Sequence, residues 1–108
     1  MSKLRQKRTL FYADLIKRRS GPRQVLKACE EMGELMQALS RYDSYQSAKR
    51  RHAVHEEIVD VFILLEQLCM IFNLSEEQFN RIMEDKLRKL RAHMKTWSSV
   101  EKKNEIKS

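Results

Sequence analysis

The segment from residue 61 to residue 72 constrains the fold most, because it is apolar on every side of the helix that it predicts. It reads "VFILL" at 61–65 and "LCMIF" at 68–72. A surface helix carries a polar face, whereas a helix that is apolar all round must be covered on all sides. We therefore expect this helix to be central and buried.

The rest of the chain also predicts helices. Only 2 Gly and 1 Pro occur in 108 residues, which are too few turn formers for a many-stranded protein. Apolar residues recur at three- and four-residue steps, and "NLSEEQF" predicts a helix start with Ser75 as N-cap and Gln78 closing a capping box. The fold class is therefore all-α, with helices expected at about 4–19, 22–42, 48–73 and 76–95.

The length of the chain limits how well one copy can bury these helices. A chain of 108 residues is one ordinary domain with a modest core. We expect a four-helix bundle-type domain over residues 1–97, completed by homo-oligomerisation as a homo-dimer or a homo-tetramer. Residues 98–108 are polar and charged, and they predict a disordered tail.

Charge and cysteine content narrow the class of protein. The chain has 22 Lys and Arg against 15 Asp and Glu, a net charge of +7, which suits nucleic acid, acidic membranes or small polyanions such as nucleotides. Cys29 and Cys69 lie within apolar helical pattern and predict buried thiols in a reducing compartment. No apolar stretch approaches ~18 residues, so we expect neither a membrane span nor a signal peptide, and the expected location is the cytoplasm.

Five acidic side chains interrupt the apolar pattern of the second and third helices. Glu30, Glu31 and Glu34 fall within "CEEMGELM" at 29–36, and Glu57 and Asp60 fall within "HEEIVD" at 55–60. The first three point into one quadrant of their helix, and the other two continue the apolar face of theirs. Ionised carboxylates beside a core are costly unless a positive group meets them.

Three explanations of these acids stay open. They are solvated surface charges, partners of nearby cations, or ligands of a metal ion. The inward direction of the pair on the third helix disfavours the first, and the number of converging acids exceeds what a salt-bridge network needs. Oxygen-only ligands favour a hard cation, Mg²⁺ first. The cations available for salt bridges are Lys27, Arg41, Lys49, Arg50 and Arg51.

Other candidate groups predict ordinary roles. A di-iron carboxylate bundle would place a Glu three residues before a His, and no His of this chain has one, so His52 and His55 are expected to be surface residues. Cys29 has no base tied to it by sequence, and buried packing is the better interpretation. Packing is also expected for Trp97.

The two acidic segments together carry a resemblance to a known family. "EEMGE" at 30–34 and "EIVD" at 57–60, with 22 residues between Glu34 and Glu57, resemble the EExxE…ExxD signature of the MazG-like all-α nucleoside triphosphate pyrophosphohydrolases. The resemblance covers about residues 22–93, and the joint motif at this spacing is fairly specific. It implies Mg²⁺ ligation by Glu31, Glu34, Glu57 and Asp60, with Glu30 as an added catalytic acid that holds a second ion or a water.

This resemblance implies hydrolysis of an NTP or dNTP between its α- and β-phosphates, with Mg²⁺, which Mn²⁺ is expected to replace. The last helix departs from the family pattern, since Leu90 stands where an Asn is expected and His93 stands near the position of an Arg. Lys86 and Lys89 are the candidates for holding the substrate phosphates, by their charge.

Alternative functions follow from the same features. A phosphoribosyl-ATP pyrophosphohydrolase-type enzyme uses similar acidic helices. A basic helical nucleic-acid-binding module fits the net charge, although the acidic segments would repel a duplex, so nucleic-acid binding is expected to be at most non-specific. A purely structural bundle is the third alternative.

Overall fold

The computed structural model describes the backbone of residues 3–107 and the side chains of residues 5–97. This part of the chain forms four α-helices and no strand, which confirms the all-α prediction. The chain divides into two compact units. Met1–Asn73 contains the first three helices, and Leu74–Ser108 contains the fourth. The helices are α1 Lys3–Arg19, α2 Gly21–Ser44, α3 Ala48–Ile71 and α4 Glu76–Lys107.

In the first unit, α2 and α3 form a helical hairpin joined by residues 45–47, and α1 packs on both. Helix α2 continues two residues past its predicted end. Helix α3 begins at a capped position, where the Ser47 hydroxyl accepts a hydrogen bond from the Arg50 N–H at 3.1 Å. Its end is set by Asn73, whose φ of 54° is left-handed, as is common just after a helix.

Buried and half-buried polar side chains connect the three helices of this unit. Gln24 on α2 donates from Nε2 to Oε1 of Gln67 on α3 at 2.5 Å, and both residues are buried. Tyr12 on α1 donates to Oε1 of Glu66 at 2.9 Å, and Arg8 donates to the same carboxylate at 3.1 Å. Burial, with the Glu66 hydrogen bond, raises the pKa of Tyr12 to about 12. The Gln24–Gln67 bond satisfies polar groups that are shielded from water, and the bonds to the half-buried Glu66 join α1 to α3.

Helix α3 is buried on one side only. Val54, Leu64 and Gln67 are its buried residues, whereas Val59 and Phe62 are each 57% exposed. The expectation that α3 is buried on all sides is therefore wrong for the single chain, because α1 and α2 cover one face of it. The other face, which we call the open apolar face, comprises Ile58, Val59, Phe62 and Leu65.

The cysteines, like α3, are less buried than expected. Cys29 is exposed, so the prediction of a buried thiol is wrong there, and Cys69 is half-buried. Both are free. Periodicity identified the helix that carries Cys29, but α1 and α3 do not reach that part of its surface.

In the second unit, α4 begins at the predicted capping box. The Gln78 N–H donates to the Ser75 hydroxyl at 3.1 Å, and the Ser75 N–H donates to Gln78 Oε1 at 3.0 Å. The helix continues past residue 95 to Lys107. The tail expected at 98–108 lies outside the residues whose side chains are described, and its disorder stays a prediction.

The sequence predicted no membrane span. Within the described residues, no single helix is both long and apolar enough to cross a bilayer. Only α3 and α4 taken together, as two segments with a break between them, are long and apolar enough.

Candidate functional site

The hairpin of α2 and α3 brings together carboxylates that are far apart in the sequence. Glu31 on α2 and Glu57 and Asp60 on α3 each offer one oxygen, and these oxygens all lie within 4.8 Å of one another. Glu31 is buried, Glu57 is half-buried and Asp60 is exposed. We call these three residues the carboxylate cluster. Its members run from the interior of the hairpin to the solvent.

Lys27 is the one cation paired with the cluster among the described residues. Its Nζ lies 3.2 Å from Glu31 Oε1 and 3.7 Å from Glu30 Oε2. The hydrogen bond to Glu31 is the main reason that the pKa of Lys27 is raised. Lys27 thus offsets one carboxylate of the cluster, so the salt-bridge explanation holds in part.

Two oxygens of the cluster accept no hydrogen bond from any described residue. Oε2 of Glu31 and Oε2 of Glu57 are both buried, and neither accepts a hydrogen bond within the described part of the chain. A buried acceptor without a partner costs about 1–3 kcal/mol, and more when it is charged. Native proteins therefore satisfy nearly all such atoms. Two of them in a group of converging carboxylates form an oxygen-only environment of the kind that a hard divalent cation prefers.

The crowding of acids also changes their proton affinity. Hydrogen bonding with Glu31, together with its charge, raises the pKa of Glu34. Burial raises the pKa of Glu57, and the charges of Glu34 and Asp60 raise it further. A proton shared among these groups, or a metal ion, relieves the same repulsion.

The remaining predicted acids lie at the margin of the cluster. Glu34 is linked to it through Glu31, but it is not one of the three residues whose oxygens converge. Glu30 also stands outside that group, with a side chain 67% exposed and turned toward Lys27. The structure therefore brings together three of the four predicted ligands, with the fourth adjacent.

An open groove of about 730 Å³ adjoins the cluster and runs between α2 and α3 toward their connecting loop. Its acidic residues are Glu34 and Glu57, and its basic residues are Arg41, Lys49 and Arg50. Sequence reasoning named these three cations only as salt-bridge partners. Their spacing in the sequence could have placed two of them beside the acids. Arg41 follows Glu34 by about two helical turns, and Lys49 precedes Glu57 by about two, so each lies on the same side of its helix as that acid.

The substrate-binding residues predicted from charge lie on α4. Lys86 and Lys89 are both exposed. Lys89 Nζ lies 3.0 Å from Asp85 Oδ2, and Arg88 also pairs with Asp85. Hydrogen bonds from these two cations, Lys89 first, lower the pKa of Asp85. The assignment of Lys86 and Lys89 to substrate phosphates stays a prediction.

The other candidate residues occupy ordinary positions. His52 and His55 are exposed, as expected, and His52 Nε2 lies 2.7 Å from Glu56 Oε1. Trp97 is 47% exposed, and its ring packs edge-on against His93 with the centroids 5.0 Å apart. None of these contacts adds a ligand to the carboxylate cluster.

Comparisons of the chain with protein families, with curated proteins and with solved structures gave no match.

Proposed function

We propose that the protein is a Mg²⁺-dependent nucleoside triphosphate pyrophosphohydrolase, which cleaves an NTP or dNTP between its α- and β-phosphates. The observation that carries the proposal is the pair of buried, unpartnered oxygens of Glu31 and Glu57, within a group of three converging carboxylates. The sequence resemblance to the MazG-like pyrophosphohydrolases supports the reaction class. The cluster supports the cation requirement, because its donor set is oxygen only.

In this proposal the cation is held by Glu31, Glu57 and Asp60, with Glu34 as the adjacent fourth carboxylate. A divalent cation supplies positive charge against the phosphate oxygens and lowers the pKa of bound water. Lys27 engages Oε1 of Glu31 and leaves the buried Oε2 without a partner among the described residues. The four acids therefore keep a net negative charge for a cation even with Lys27 in place.

The hydrolytic step needs a group that positions a water and accepts its proton. The oxygen of that water bonds to the α-phosphorus, the bond from the α-phosphorus to the bridging oxygen breaks, and pyrophosphate leaves with that oxygen. Glu34 is better placed than Glu30 to accept the proton, because it lines the groove beside the cluster, whereas Glu30 pairs with Lys27. Proton transfer to a positioned carboxylate typically contributes about 10²–10⁴-fold.

The open apolar face of α3 supports assembly of the enzyme as a homo-dimer or homo-tetramer. Its four residues are each 44% or more exposed. A contiguous exposed apolar patch of this kind usually marks a protein–protein contact. A second copy is the occupant that we propose, since a small chain with a half-covered central helix gains core by self-association.

The test is a product assay with Mg²⁺ over a panel of ribo- and deoxynucleoside triphosphates. We expect monophosphate and pyrophosphate in equal amounts, and loss of both products in Glu57→Gln. Glu77→Gln, an exposed acid of α4, is the matched control and should keep full activity. Release of diphosphate and inorganic phosphate, or turnover equal in Glu57→Gln and the parent, would contradict the proposal. Faster turnover of phosphoribosyl-ATP would favour that alternative substrate.

A further inference from the structure

The groove between α2 and α3 has two ends of opposite charge. Glu34 and Glu57 lie at the end shared with the carboxylate cluster, and Arg41, Lys49 and Arg50 supply the positive charge nearer the loop. Along each helix the two ends are about 10–12 Å apart, at about 1.5 Å per residue. A ligand that fills the groove therefore meets carboxylates at one end and cations at the other.

The charged groups of Arg41 and Lys49 form no ion pair among the described residues. Both side chains are exposed, and neither has an ion pair among the described side chains, although Glu34 and Glu57 line the same groove. The salt-bridge explanation of the acids named these two cations among five possible partners, and Lys27 is the one that pairs with them among the described residues. The positive charge of Arg41 and Lys49 is therefore available to an anion.

Arg50 differs from its two neighbours. Its Nη1 donates to the Arg41 carbonyl at 2.7 Å, and its guanidinium lies over the Tyr45 ring at 5.3 Å from the centroid. These contacts hold it at the carboxyl end of α2, where a cation meets the last carbonyls of the helix favourably. Its role is structural, and its charge adds to the field in the groove.

We infer that Arg41 and Lys49 form a polyphosphate subsite, which holds the β- and γ-phosphates of the nucleotide while its α-phosphate lies at the carboxylate cluster. This inference rests on the proposed function and adds the residues that recognise the leaving pyrophosphate. It departs from the prediction that Lys86 and Lys89 hold the phosphates.

The direction of the side chains supports an order along the groove. Helical side chains lean toward the amino end of their helix. Arg41 therefore leans toward Glu34 and the cluster, whereas Lys49 leans toward the loop. Arg41 is placed for the phosphate next to the cleaved bond, with the bidentate geometry that a guanidinium gives. Lys49 is placed for the terminal phosphate as a point charge.

The experiment titrates inorganic tripolyphosphate into the full chain by calorimetry, at fixed ionic strength, with and without Mg²⁺. The variants are Arg41→Met and Lys49→Met, which keep the apolar stem and remove the charge. Arg51→Met is the matched control, because it removes the same charge from an exposed residue of α3 that does not line the groove. Melting curves check that each variant is folded. If Arg41→Met does not fold, Arg41→Gln, which also removes the charge, replaces it.

We expect each groove variant to weaken tripolyphosphate binding on the order of tenfold or more, as loss of a charge-assisted hydrogen bond does. Arg51→Met should change it by less than about twofold. An equal loss in Arg51→Met, or no loss in either groove variant, overturns the inference. Loss only in Lys86→Met and Lys89→Met also overturns it and restores the assignment made from charge.

A separate titration with Mn²⁺ alone keeps this inference distinguishable from the proposed function. If the parent protein does not bind Mn²⁺, the metal site is wrong, whatever the tripolyphosphate result. If Mn²⁺ binds equally to the parent and to both groove variants while tripolyphosphate binding falls only in the groove variants, the subsite is supported. Equal tripolyphosphate affinity in all variants, with Mn²⁺ binding intact, overturns the subsite alone.

Discussion

Glu31 on α2 and Glu57 on α3 each bury a carboxylate oxygen that accepts no hydrogen bond within the described residues, in a cluster whose oxygens lie within 4.8 Å. Lys27 engages only the other oxygen of Glu31. Like charges at this separation oppose folding unless a proton or a cation intervenes. The relationship therefore makes the stability of the hairpin dependent on what the carboxylates bind.

The first prediction concerns pH. Hydrogen bonding with Glu31 raises the pKa of Glu34, and burial raises the pKa of Glu57. A carboxyl group whose pKa is raised by folding contributes stability below its unfolded pKa, near about pH 4.3, and this contribution is lost as pH rises through the folded value. With a chelator present to remove metal ions, the melting temperature of the parent should fall as the pH rises from about 4.3 through the folded-state pKa values. Glu34→Gln and Glu57→Gln should each make this decrease smaller. Parallel curves for parent, both variants and Glu77→Gln would contradict this.

The second prediction separates the role of the acids in catalysis from their role in folding. Glu34→Ala and Asp60→Ala should each lower Mg²⁺-dependent turnover by at least about a hundredfold, because each removes an oxygen ligand or a proton acceptor. The metal-free variants should melt at the same temperature as the parent or higher, because repulsion is relieved. The measurement pairs turnover with circular dichroism melting. Variants that keep full turnover, or unfold at room temperature, would show that the acids are not ligands.

The third prediction concerns the buried amide pair of Gln24 and Gln67. Gln67→Met leaves the Gln24 amide without its partner and should destabilise the protein by about 1–3 kcal/mol. At about 4–8 °C per kcal/mol, the melting temperature should fall clearly. The double variant Gln24→Met/Gln67→Met, which removes both polar groups, should recover most of that loss. A double variant as unstable as the sum of the single variants would mean that packing, not the hydrogen bond, sets the cost.

Much of the fold could be predicted from the sequence because it depends on local signals. The Ser75 capping box fixed the start of α4, and the acids three residues apart identified the two helices that meet. The Gln24–Gln67 bond could not be predicted, because it joins residues 43 apart that look like ordinary surface amides. The partner of the acids was also ambiguous, since Lys27 and Arg41 both lie on the helix that carries Glu31. The structure separates their roles, because Lys27 pairs with Glu31 four residues away, whereas Arg41 has no ion pair among the described side chains.

The fourth prediction tests assembly through the open apolar face of α3. Phe62→Glu places a charge at the centre of that face, where Phe62 is 57% exposed in the single chain. Burying an unpaired charge at an interface costs several kcal/mol, so the variant should sediment as a 13.0 kDa monomer, whereas the parent should sediment as a dimer or tetramer. Leu10→Glu, at an exposed apolar residue of α1, is the control and should keep the parent assembly. A monomeric parent would contradict the proposed homo-oligomer.

The fifth prediction tests the cation site without the substrate. A divalent ion that binds only the folded protein stabilises it by RT ln(1 + [L]/Kd), about 2.7 kcal/mol at a hundredfold excess over Kd. The melting temperature should then rise by on the order of 10 °C. Mn²⁺ is the more sensitive probe, because it binds such sites more tightly than Mg²⁺, which keeps its waters.

The control for this rise is a monovalent salt at matched ionic strength, which screens repulsion but cannot bridge Glu31 and Glu57. Glu31→Gln is the matched variant, since it keeps the size of the side chain and removes the charge of the most buried member of the cluster. Glu31→Gln should abolish most of the rise in melting temperature caused by Mn²⁺, and the change caused by the monovalent salt should stay small. If Mn²⁺ and the monovalent salt raise the melting temperature equally, both with and without nucleotide, the carboxylates do not form a cation site and are only charged groups of a helical bundle.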